Sequence, residues 1–265
     1  MGQSSARPPE LIIVTGAGRG IGHAIAIEMA RIGAAVVCIS RTKSCHKTAA
    51  MIRARGGTAD AIVADLADYS KTEKAVARFL KGRRERRIGI VLAAGSLGPS
   101  GPLWKTPLAD WDAAWRTNVL GNLAVVRACL PKIRANRFGR ILFFAGGGAA
   151  YAYPLFPAYA IAKTALVREV ENLHEDLKDA GDFAVAIVAP GAVETRMLAA
   201  VRKKGGEVRT TVGIEEPVTF ARVFLSARHC GFSGHFVHVR DNWRPLLEPG
   251  ATPSKNELWK LRRIE

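Results

Sequence analysis

Tyr159 and Lys163 stand four residues apart in Tyr159-Ala160-Ile161-Ala162-Lys163. On a helix that spacing puts both side chains on one face. A lysine cation beside a phenol favours the tyrosinate and lowers a pKa that is otherwise about 10. Such a pair can exchange a proton with a carbonyl oxygen while hydride moves at the carbon. A helical Tyr and Lys are ordinarily just surface residues, so the reading depends on what accompanies them. The companion is Val14-Thr15-Gly16-Ala17-Gly18-Arg19-Gly20-Ile21-Gly22. Gly16 permits a sharp turn, Gly18 and Gly20 let backbone approach a pyrophosphate, and Gly22 lets a helix pack closely on a strand. Free amides at the helix start, around Arg19 and Ile21, then face the phosphates, aided by the helix dipole.

Ribose selection falls at the end of the second strand, where an acidic side chain would suit NAD(H). This chain has Ser40 and Arg41 instead. A hydroxyl and a guanidinium suit a 2′-phosphate, with Arg19 as a second candidate. The reading is NADP(H) in preference, with NAD(H) as the alternative. Asp65, followed by Leu66, could accept from the adenine amino group or could cap the next helix.

These residues need elements to hold them. Apolar runs predict strands at Leu11–Thr15, Ala35–Ile39, Ala59–Val63, Ile88–Ala93, Arg140–Phe144, Phe183–Val188 and His235–Val239. Helices are predicted at Gly20–Ile32, Ser44–Arg55 and near 70–81, 110–136, 157–180 and 215–227. The alternation predicts an α/β chain: a three-layer doubly wound Rossmann fold with a mainly parallel seven-stranded sheet. One domain, 10–244, is expected between an N-terminal arm (1–9) and a tail (245–265). Leu198–Glu216, rich in Lys, Arg and Gly, reads as the most mobile segment. Trp104, Trp111 and Trp115 are expected to pack near the fourth helix.

Composition narrows the classes. The chain has 265 residues, 48% of them hydrophobic, enough for a large core. Its formal charge of +16 implies affinity for anions. The basic residues are scattered, with clusters at Lys81–Arg87, Arg202–Lys204 and Lys260–Arg263, and no nucleic-acid signature accompanies them. Nucleic acid is therefore not an expected partner; a small-molecule substrate is, with the basic run Arg202–Arg209 hinting at an anionic one. Four cysteines without C-x-x-C spacing argue against a metal site or disulfide framework. The most apolar stretch, Ile141–Ala162, is broken by glycines and prolines, so no membrane span is expected. Met1-Gly2 lacks the hydroxyl at position 6 that myristoylation needs. A cytoplasmic protein is the expectation.

The glycine loop, Tyr159-x-x-x-Lys163, Asn118 and Pro190-Gly191-Ala192-Val193-Glu194-Thr195 together resemble the short-chain dehydrogenase/reductase family over about residues 10–240. The resemblance implies an oxidoreductase acting on a carbonyl or secondary alcohol. Tyr159 would be its acid/base, and Lys163 would lower the phenol pKa and bind ribose. Asn118 would hold a helix irregularity and a water near the lysine. It further implies that Pro190, Gly191, Val193 and Thr195 border the nicotinamide, and that Ala94 and Gly95 lie beside the cofactor. A homodimer or homotetramer through the helices near 110–136 and 157–180 is implied as well. Two departures stand out. The family serine about 13 residues before the tyrosine falls on Gly146, in Phe144-Ala145-Gly146-Gly147-Gly148, which has no hydroxyl for the substrate oxygen. Losing one such donor commonly costs about 100- to 1000-fold in rate. Either a backbone amide of the triple glycine or the hydroxyl of Tyr151, Tyr153 or Ser96 substitutes, or the chain is a weakened or inactive NADP(H)-binding sensor or scaffold. Second, Arg240-Asp241-Asn242-Trp243-Arg244 follows the last strand where the family usually has an Asp-Gly-Gly turn.

Overall fold

A computed structural model describes residues 7–208, 211–251 and 261. Seven parallel strands form one sheet in the order β3-β2-β1-β4-β5-β6-β9. They are β1 Leu11–Thr15, β2 Ala35–Ser40, β3 Ala59–Val63, β4 Ile88–Leu92, β5 Phe138–Phe144, β6 Asp182–Ala189 and β9 Phe236–His238. Two further strands, β7 Ala192–Val193 and β8 Thr211–Val212, pair only with each other. Central strands such as β1 and β4 are buried along their whole length, as expected of a sheet covered on both faces. Side-chain alternation splits β1 between the two layers. Ile12 and Val14 face one core with helices α1 Gly20–Arg31, α2 Ser44–Ala54 and α8 Glu215–Ser226. Leu11 and Ile13 face the other, built with α3 Tyr69–Leu80, α5 Gly121–Ala135 and α6 Pro157–Leu177.

The strand order reverses between β1 and β4, and the crevice beyond their carboxyl ends is where such sheets bind ligands. Three features differ from the sequence reading. The helix predicted over 110–136 is two helices, α4 Leu108–Trp115 and α5, joined by a π-helical turn at Arg116–Leu120. Within Leu198–Glu216, where the sequence placed no element before 215, the structure forms most of α7 Arg196–Lys203, with Leu198 and Val201 buried, and then β8; residues 209 and 210 lie outside the described residues. The last strand is shorter than predicted, Phe236–His238, and the His235 amide turns back to the Phe232 carbonyl at 3.1 Å. Past the boundary placed at 244, Leu246 and Leu247 still pack on the first core.

Trp104 does not pack near the fourth helix; it is 82% exposed. Trp111 sits there and donates from its indole N–H to Thr106 Oγ1 at 2.9 Å. A different tryptophan, Trp243, is buried in an aromatic cluster with Phe220, Phe224 and Phe232. Of the basic clusters, Arg83 pairs with Asp60 and Glu85. Lys260, Arg262 and Arg263 lie outside the described residues. No helix among the described residues is long and apolar enough to cross a membrane, and they contain no cluster of three or more His, Cys, Asp or Glu placed to hold a metal ion.

Candidate active site

The glycine loop lies between the ends of β1 and β4. Gly16 (φ +69°) and Gly20 (φ +58°) adopt left-handed backbone that L side chains rarely take. A Cβ on Gly16 would stand 2.9 Å from the Ala94 amide nitrogen, so the loop rests directly on the backbone after β4. A Cβ on Gly22 would stand 2.7 Å from the Gly16 carbonyl oxygen, which is why α1 can begin so close to the strand. The N-cap residue of α1 is Arg19, and its side chain bonds none of the first amides. Those N–H groups, with the positive end of the helix dipole, suit an anionic pyrophosphate. The loop is braced from outside: Thr48 donates to the Ala17 carbonyl at 2.7 Å and accepts from His23 Nδ1 at 2.8 Å. Burial and the nearby Arg55 hold the His23 pKa below its usual value, in keeping with a neutral ring.

Beside the loop, a Cβ on Gly18 would run into the Ser44 hydroxyl and stand 3.1 Å from Ser40 Oγ. The Ser40 hydroxyl donates to the Thr42 carbonyl at 2.7 Å and accepts from the Cys45 amide at 3.1 Å. Ser40 therefore shapes the turn between β2 and α2. Arg41 and Lys43 are exposed around it, and Ser44 Oγ, 3.2 Å from Ser40 Oγ, lies at the start of α2. Ser44 was missed in the sequence, although a hydroxyl at a helix start was the available signal. Asp65 is exposed; its carboxylate accepts from the Ala67 amide at 3.0 Å, a local turn. Leu66 is buried, and α5 passes so close that a Cβ on Gly121 would overlap the Leu66 carbonyl.

The π-helical turn holds Asn118 fully buried. Its amide donates to the carbonyls of Ser96 at 2.8 Å and Ala114 at 2.9 Å, and its oxygen accepts from the Ser96 amide at 3.0 Å. One turn later Asn122, also unforeseen, donates to the Asn118 carbonyl at 2.9 Å and to the Ala94 carbonyl at 3.2 Å. Thr15 completes the clamp, donating to Asn122 and accepting from the Ala94 amide at 3.1 Å. The missed signal was the second asparagine, four residues after Asn118 across the apolar Val119-Leu120-Gly121. A Cβ on Gly95 would stand 2.9 Å from Asn118 Oδ1 and 3.5 Å from Lys163 Nζ, so the asparagine and the lysine converge over that glycine.

Tyr159 and Lys163 lie in the first turns of α6, 7% and 3% exposed. Lys163 Nζ donates to the Phe144 carbonyl at 2.7 Å and lies 5.7 Å from the centre of the Tyr159 ring. Burial disfavours the ammonium and brings its pKa down to about 8. The sequence reading had the lysine pulling the tyrosine down. Burial pushes the Tyr159 phenol up, and Tyr153 adds to the shift. Gly146 has extended backbone, and a Cβ there would collide with the Tyr159 hydroxyl and lie 3.2 Å from Cε1 and Cζ of its ring.

Pro190 and Val193 are buried, and Gly191 (φ +71°) turns the chain from β6 into β7. Thr195 caps α7, its hydroxyl accepting from the Leu198 amide at 3.3 Å. Its methyl lies 3.4 Å from where a Gly20 Cβ would be, which sets Thr195 against the phosphate loop. Arg202 is bound by Glu194 at 2.6 and 2.9 Å. That pairing neutralises the first member of the basic run taken as a hint of an anionic substrate; Arg209 lies outside the described residues.

A family model described as short chain dehydrogenase matches residues 10–206. The 1-deoxy-11-beta-hydroxypentalenate dehydrogenase of Streptomyces exfoliatus is 32% identical over 260 residues, covering 93% of this chain and 93% of that protein. Versicolorin reductase 1 of Aspergillus parasiticus is 31% identical over 213 residues, covering 78% and 79%. Among solved structures, a chain of Beutenbergia cavernae assigned as an NAD(P)-dependent gluconate 5-dehydrogenase, with NADP at low occupancy, superposes with a TM-score of 0.80. It is 28% identical, with 91% of this chain and 98% of that chain covered.

Proposed function

The chain belongs to the short-chain dehydrogenase family, and from that premise we propose that it interconverts a carbonyl and a secondary alcohol with NADP(H). The observation that carries this reading is the burial of Tyr159 and Lys163 together in α6, the phenol against Gly146 and the ammonium over Gly95 beside Asn118. The bound nicotinamide supplies or accepts the hydride. Tyr159 supplies the proton to the carbonyl oxygen, and its raised pKa keeps it in the protonated form from which it can donate. An oxygen that has just received negative charge is far more basic than a phenolate, so the transfer is downhill in the direction of reduction. Lys163 stands by the phenol to stabilise the phenolate left behind, and Asn118 fixes the backbone around it.

The glycines and uncapped amides at the start of α1 would hold the pyrophosphate. The absence of an acidic side chain at the end of β2, with Arg41, Lys43 and Ser44 in its place, supports a 2′-phosphate and hence NADP(H) over NAD(H). The NADP in the Beutenbergia cavernae chain is consistent with that preference. The test is purified protein with NADPH and a panel of ketones. Wild type should turn over at least one ketone, and Tyr159→Phe should abolish turnover while binding NADPH as before. If NADPH binds but no ketone is reduced, the chain binds the nucleotide without carbonyl chemistry.

A further inference from the structure

The triple glycine places two tyrosines. Gly146 leaves the room that the Tyr159 hydroxyl fills. Gly148 is pressed onto the first turn of α6: a Cβ there would stand 3.0 Å from Cα and Cβ of Ala160, and 3.4 Å from Cβ of Tyr153. Tyr153 is thereby drawn against the same helix turn that carries Tyr159. Its carbonyl accepts from the Phe156 amide at 3.0 Å, and its ring packs on Phe156 with centroids 5.7 Å apart. Phe156 is buried in one cluster with Tyr159 and Val201, and Leu97, Tyr153 and Leu155 pack around it. Tyr153 and Tyr159 thus share one cluster at the start of α6, and partial burial pushes the Tyr153 phenol up.

The other hydroxyls considered are placed less well. Tyr151 is 66% exposed. The Ser96 hydroxyl accepts from the Gly98 amide at 3.2 Å, and both backbone groups of Ser96 are bound to Asn118. We infer that the Tyr153 hydroxyl donates the hydrogen bond to the substrate oxygen that Gly146 cannot, beside an apolar cluster that includes the partly buried Leu97 and Leu155 and suits an uncharged apolar ketone. This rests on Tyr159 as the proton donor. As hydride adds to the carbonyl carbon, the π pair moves to oxygen. The Tyr159 O–H bond breaks and its proton goes to that oxygen, and the phenolate regains a proton from water. Tyr153 donates a hydrogen bond throughout and keeps its proton.

The experiment compares the full chain with Tyr153→Phe, Tyr151→Phe and Tyr159→Phe, using NADPH with decalone, an uncharged bicyclic ketone, or levulinate, a keto carboxylate. Tyr153→Phe keeps the ring that packs on Phe156, so only the hydroxyl is tested. Wild type should reduce decalone faster than levulinate. Tyr153→Phe should lose about 100-fold in kcat/KM with NADPH affinity unchanged, and Tyr151→Phe should match wild type. A Tyr153→Phe enzyme as active as wild type, beside a dead Tyr159→Phe, overturns the role of Tyr153 and leaves the proton donor standing. An active Tyr159→Phe overturns the reading on which the inference rests. Levulinate reduced as fast as decalone, or neither reduced, overturns the apolar site.

Discussion

The hydroxyl of Tyr159 occupies the space that a Cβ on Gly146 would need. The glycine is thus more than a missing hydroxyl, because the buried tyrosine has this position only while residue 146 has no side chain. Gly146→Ala should shift the phenol by a fraction of an ångström to an ångström. A misplacement of that size costs on the order of 100-fold in turnover. NADPH affinity, measured by fluorescence titration, should stay at the wild-type value. Gly146→Ser should behave the same way; a gain of activity with serine would show that Tyr159 does not depend on this space.

Cofactor choice should depend on the exposed cluster after β2. Removing a hydrogen bond to a charged group costs about 1.5–3 kcal/mol, or roughly 10- to 100-fold in affinity. Arg41→Ala should weaken NADPH binding by that factor and leave NADH binding unchanged, so calorimetry with both nucleotides gives a direct reading. Equal weakening of both would place Arg41 away from the 2′-phosphate.

Lys163 makes the stability of the nucleotide-free protein depend on pH. Its folded pKa, about 8, lies below the ordinary 10.5, so burial penalises the ammonium. Below about pH 8 the lysine is charged in both folded and unfolded states and the whole penalty applies. Between 8 and 10.5 the unfolded chain holds more protons, so this contribution to stability rises with pH. Lys163→Met removes the penalty at the expense of turnover. The variant should be the more stable protein below pH 8, by on the order of 3 kcal/mol, with the gap closing towards pH 10.5. Urea unfolding of both proteins across that range would reveal a constant gap if the lysine were not buried as charge. Taking the difference between them cancels the buried cysteines, such as Cys38, that titrate in the same range.

Residues 239–247, beyond β9, are part of the folded unit. Trp243 is buried with its ring centre 4.7 Å from that of Phe220, edge to face, and its indole donates to the Val239 carbonyl at 3.1 Å. Trp243→Ala should cost about 3–5 kcal/mol, seen as a lower urea midpoint with NADPH affinity retained in the folded fraction. A loss under about 1 kcal/mol would mean that the chain after β9 packs loosely.

What the sequence determined was local or periodic. Runs five or six residues long, too short for helices, read as buried strands, and their alternation with helical stretches pointed to a doubly wound parallel sheet. The glycines of the loop announced themselves because each is needed within one strand-to-helix turn, and Tyr159 with Lys163 because 3.6 residues make a helical turn. Tertiary structure alone decided the rest. The collision of Gly146 with Tyr159, Ser44 beneath Gly18, the clamp of Thr15, Asn122 and Ala94, and Trp243 against Phe220 all join residues that no period relates. Even the titration of the pair was decided there, since the fold that brings the two groups together also removes the water that would stabilise their charges.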